Sequence, residues 1–148
     1  MENKIVKWEQ SKYLVISSTF IFPSAYISYI IHYYIYSYLI FSVVFCSMNY
    51  WRKATHGKRR QLDLILSKIC FFVLLYVGIM NLQGIVMVFG YTNLAGMIYC
   101  YYTANKLFIY NNNNWLKYHC MFHLLVGIQS YTIMNHLPEL ENNKYNKI

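Results

Sequence analysis

From Tyr13 to Tyr50 the chain carries no Asp, Glu, Lys or Arg. Only 12% of all residues are charged, against about a quarter in soluble domains, and 57% are apolar. The first figure places the chain in a lipid bilayer, and the second excludes disorder, which requires low hydrophobicity. The uncharged run is too long for one crossing, because a hydrocarbon core about 30 Å thick takes about 20 helical residues. It reads as a hairpin of two helices, about 13–31 and 35–51, turning near His32, Tyr33 and Tyr34 without a Gly or Asn to mark the turn. Pro23 should kink the first helix, since it removes one backbone donor and its ring meets the preceding turn.

Three further apolar runs follow. The third, about 62–80, has Asp63 at its start and Lys68 inside it; the fourth and fifth cover about 84–102 and 115–134. Asn81–Gln83 make a tight link and Asn111–Asn114 belong to a looser one. The runs lack sustained alternation and exceed the length of single strands, so the expected fold is all-α, an integral membrane bundle of about five helices. Residues 135–148 read as a polar tail to this single domain. Gly78, Gly84, Gly90 and Gly96 should let the third and fourth helices approach closely.

The charges then acquire a meaning. With five crossings, Lys4, Lys7, Lys12, Arg52, Lys53, Lys58, Arg59, Arg60, Lys106 and Lys117 all fall on one side. Lys144 and Lys147, offset by Glu139 and Glu141, fall on the other. The positive-inside rule puts the N-terminus in the cytoplasm and the C-terminus opposite. No small-residue cleavage site follows the first run, so it reads as a retained anchor. The Arg52–Arg60 cluster sits between two apolar runs with no nucleic-acid motif around it. Topology and anionic headgroups account for it, and no nucleic-acid partner is expected. Cys46, Cys70, Cys100 and Cys120 all fall inside helices and imply no disulfide framework. Trp8, Tyr13, Trp51, Trp115 and Tyr118 fit the aromatic belts of the two interfaces.

Four reactive side chains should share one depth: Ser47 near the end of the second helix, Asp63 opening the third, and His119 and His123 in the first turns of the fifth. Spacing of four sets both imidazoles on one helical face, close enough to share an ion. A carboxylate from another helix would give three ligands and one open position, as in a catalytic zinc site. A structural alternative stands beside this for each residue. Asp63 can serve as a helix N-terminal charge, the histidines as hydrogen-bond donors, and Lys68 can snorkel to the interface or pair with Asp63.

Ser47-Met-Asn-Tyr50-Trp51, then Asp63, then His119-x-x-x-His123 resembles the ceramidase, hemolysin III and adiponectin-receptor superfamily of seven-helix membrane proteins. The resemblance implies zinc near the cytoplasmic face, with His119, His123 and Asp63 as candidate metal-site residues. It implies Ser47 and Asp63 as candidate catalytic residues orienting a bound water, and a lipid amide as substrate. Trp51 stands where that superfamily has its first zinc-binding histidine, and an indole cannot ligate metal. His56 in the basic loop, or Cys46, Cys100 and Cys120 near the same end, are the available substitutes. The other reading, from a different class, is a non-catalytic membrane protein that acts through helix packing or partner binding among membrane lipids, its oligomeric state left open.

Overall fold

The computed structural model describes the backbone of residues 5–145 and the side chains of residues 5–137. Lys4 and Lys147, and the side chains of Glu139, Glu141 and Lys144, lie outside the described residues. Among the described residues no strand forms and the fold is all-α. It comprises α1 (Trp8–Ser18), a 3-10 turn (Thr19–Ile21), α2 (Phe22–Ile30), α3 (Tyr34–Arg52), α4 (Lys58–Asn81), α5 (Gly84–Ile109) and α6 (Trp115–Tyr145). The first three elements form one rod, so the molecule has five rods in the expected order.

Each rod outruns its apolar window where the sequence turns polar, because hydropathy marks the hydrocarbon slab and not the helix ends. The clearest case is α6, whose backbone stays helical through Tyr145, so the expected separate tail at 135–148 is largely a continuation of the last helix. Three rods, Trp8–Ile30, Lys58–Asn81 and Gly84–Ile109, are long and apolar enough to cross a membrane. The chain is therefore read as an integral membrane protein. The outward surface agrees: on α4 alone Ile65, Ile69, Phe72 and Tyr76 are all about half exposed or more, a surface for lipid and not for water.

A 3-10 turn interrupts the first rod just before Pro23, the position where a kink is expected. Pro23 lies in the first turn of α2, and its ring excludes a regular helical carbonyl at Thr19, so the chain tightens into the 3-10 turn there. The turn after α2 contains no glycine because His32 itself takes the left-handed conformation, with φ 65°. His32 N–H bonds Tyr29 O at 3.1 Å and Tyr33 N–H bonds Ser28 O at 2.8 Å, the paired geometry of a Schellman cap. Asn111, with φ 52°, closes α5 in the same way through Phe108 O and Leu107 O.

Small residues bring the rods together. Ser24, Ser28 and Ser37 are fully buried, and Ser37 Oγ donates to Ala25 O at 2.9 Å, tying α3 to α2. The glycines act elsewhere than expected. A Cβ on Gly78 would meet Ile133, one on Gly90 would meet Leu82 and Gln129, and one on Gly96 would meet Leu125. All three therefore ease packing on α6, and α4 and α5 scarcely touch each other. Gly84 has φ 59° and open space around it, so it serves the turn into α5 and no helix contact. The closest approach belongs to Gly127 on α6, where a Cβ would collide with Phe20 O in the 3-10 turn.

Candidate functional site

One end of the bundle collects the ends of all five rods that carry the basic residues. Ile5 N–H bonds Ala54 O at 2.8 Å, Gln10 reaches Asn113 at 3.1 Å, and Trp51 meets His119 at 5.2 Å between ring centroids. These contacts bring the start of α1, the α3–α4 loop and the α5–α6 link to one pole. Beneath it lies a chamber of about 640 Å³ lined from α3, α4, α5 and α6. Ser47, Asp63, His119 and His123 all line it.

Within the chamber the four residues form two pairs. Ser47 and Asp63 are both buried, and the Ser47 hydroxyl donates a short hydrogen bond to Asp63 Oδ1. Because α4 begins at Lys58, Asp63 stands in the second turn and not at the helix start, so its carboxylate is a bonded interior group and not an N-terminal charge. Ser67, one turn further along α4, faces the same space. The second pair is His119 and His123, whose ring centroids lie 4.9 Å apart in an edge-on arrangement. The i, i+4 spacing on α6 delivers this proximity.

His123 is oriented from behind by a residue that sequence reasoning missed. Ser17 Oγ on α1 lies 2.8 Å from His123 Nδ1 and 3.2 Å from Leu14 O. Ser17 Oγ thus bridges the Leu14 carbonyl and the His123 ring. Every sealed side-chain N or O among the described residues has a hydrogen-bond partner. His119 and His123 both line the chamber. Nothing in an uncharged run distinguishes Ser17 from its many neighbouring serines, and no sequence signal could have selected it.

Trp51 and Trp115 depart from the interfacial-belt expectation. Both are buried, and they flank His119 edge-on with Trp115 centred 6.2 Å away. Tyr50, Phe108 and Phe122 extend this aromatic wall. Trp8 and Tyr13, half exposed, remain on the outer surface. The substitute ligands stand apart: His56 bonds Arg60 at the exposed loop, Cys120 points toward Tyr13 O, and Cys46 and Cys100 do not line the chamber.

For a metal ion, His119 and His123 are neighbouring imidazoles in the lining of one chamber. A catalytic zinc centre uses three protein ligands. Among the described residues no group of three His, Cys, Asp or Glu is placed to hold an ion, and Asp63 is engaged by Ser47 instead. The donors present are a pair.

Comparison with family models, with curated proteins and with solved structures found no match. The chamber must therefore be read from its own geometry. It is continuous in lining with a narrower groove of about 130 Å³, the two sharing Ser47, Ser67, Phe71, Met97, Phe122 and His123. The groove runs on between α4 and α5 past Cys70, Leu74 and Val126, where polar groups become few.

Proposed function

We propose that this chain is a five-crossing membrane protein, N-terminus cytoplasmic, that takes one lipid molecule into the cleft between α4 and α5. The observation that carries the reading is the joined cavity: a chamber with Ser47, Asp63, His119 and His123 at one end and an apolar groove leading away from it. Its size lies within the range of about 300–1,000 Å³ usual for ligand sites. An amphiphile matches this polarity, with its headgroup among the four polar side chains and its tail between two helices that leave a lateral opening. The sidedness rests on the basic residues gathered at the chamber's end of the bundle.

The test is native mass spectrometry of the full chain from mild detergent, with a Ser67→Phe variant that fills the chamber. One retained lipid per chain, lost in the variant while its thermal stability is kept, is the expected result. Equal lipid retention by both proteins would sink the reading.

Lipid amide hydrolysis is the second reading, favoured by the presence of His119, His123, Ser47 and Asp63 in the lining of one chamber. His119 and His123 would supply two of the three protein ligands that a catalytic zinc uses, and bound zinc would supply an activated water. Metal analysis of protein purified without chelators decides it. Near-stoichiometric zinc that disappears in His119→Ala/His123→Ala supports hydrolysis, and zinc-free protein leaves binding alone.

A further inference from the structure

The chamber's lining is more specific than an apolar cavity needs. Two of the three tryptophans of the chain face it, with Tyr50 and Phe122 beside them and one carboxylate, Asp63, in the wall. Arg60 and Lys68 line the same chamber from α4, one on each side of Asp63 along the helix, and both are exposed. Indole and phenol faces attract cations, and they favour one that is weakly hydrated. An anion would meet Asp63 and the negative ring faces in the interior. A cation alone would meet Arg60 and Lys68 on the way in.

Building on the lipid-binding reading, we infer that the chamber holds the phosphocholine headgroup of a lipid. The quaternary ammonium sits inward between the Trp51 and Trp115 wall and Asp63, and the phosphate sits outward against Arg60 or Lys68. The tail follows the groove between α4 and α5. This zwitterion satisfies both sets of charges at once. A primary ammonium fits worse, because it is strongly hydrated and the Trp51, Trp115, Tyr50 and Phe122 wall favours a weakly hydrated cation. The quaternary group needs no acceptor at all.

The experiment uses the full chain in nanodiscs of an unrelated lipid, titrated with three probes of one acyl chain: lysophosphatidylcholine, lysophosphatidylethanolamine and lysophosphatidic acid. The choline probe should bind about tenfold more tightly than the ethanolamine probe. Asp63→Asn, which keeps the side-chain volume, should remove that preference. Trp51→Leu should weaken choline binding, and Trp51→Phe should restore most of it, which separates a lost cation contact from a damaged fold. Arg60→Gln/Lys68→Gln should weaken the two phosphodiester probes alike. Equal binding of all three probes, abolished by Ser67→Phe, would overturn the headgroup assignment and leave the lipid cleft standing. Tightest binding of lysophosphatidic acid would also overturn it. No binding of any probe would remove both readings.

Discussion

The α5–α6 and α4–α5 interfaces stand side by side in the molecule and are built in opposite ways. α5 and α6 are joined by a longer link yet pack along their length. Gly90 and Gly96 leave room for Gln129 and Leu125, and Asn93 Nδ2 donates to Leu125 O and Gln129 Oε1, both at 2.9 Å. α4 and α5 are joined by Leu82 and Gln83 alone and still splay apart. A short link therefore does not dictate contact in a bilayer. Lipid tails are as apolar as leucine, so helices close on one another only where small residues and interhelical hydrogen bonds favour it. α4 offers α5 neither, and the space between them becomes the groove.

The largest effect is expected from Gly127→Ala, where α6 closes on the first rod as tightly as it closes on α5. Its new methyl would meet the Phe20 carbonyl, and backbone cannot yield as a side chain does. A loss of about 2–3 kcal/mol is expected, read as a lowered unfolding midpoint in mixed micelles. Gly84→Ala addresses the open side through its turn. The left-handed conformation there has free space but is costly for any residue with a Cβ, and about 1 kcal/mol should be lost. Lipid retention should change along with it, since this turn sets the angle of the cleft. Asn93→Leu removes two interhelical hydrogen bonds and should cost about 1 kcal/mol, at the usual value of about 0.6 kcal/mol for each in a membrane. Ile69→Ala, on the outer face of α4, should stay within about 0.5 kcal/mol of the parent. A large loss at Ile69 would mean that this face packs against protein and not lipid.

The sequence made the rods legible because uncharged length is a direct demand of the bilayer. Pro23 was legible for the same reason of local chemistry, and so was the proximity of His119 and His123, which helical spacing alone delivers. The meeting of Ser47 with Asp63 was anticipated only as a shared depth, since depth follows from position in a rod and contact follows from which faces turn inward. Trp51 and Trp115 show that limit. Both stand at helix ends, where an interfacial belt is the ordinary outcome, and only the convergence of α3 and α6 turns them into an interior wall. His32 shows another limit, since it takes the left-handed conformation without the Gly or Asn that announces one. The glycines mark the last: a missing Cβ states that something comes close, and its partner is a matter of tertiary arrangement.

The polar partners of α6 carry a consequence for how the chain is made. Among the described residues, α3 and α6 stand outside the three rods that are long and apolar enough to cross a membrane. On α6, His123 and Gln129 find Ser17 and Asn93, and Gly127 fits the 3-10 turn at Phe20. All of these counterparts lie earlier in the chain, and synthesis runs from the N-terminus. The last helix thus emerges from the ribosome to meet a finished receptor. Its arrival is the step that completes these contacts.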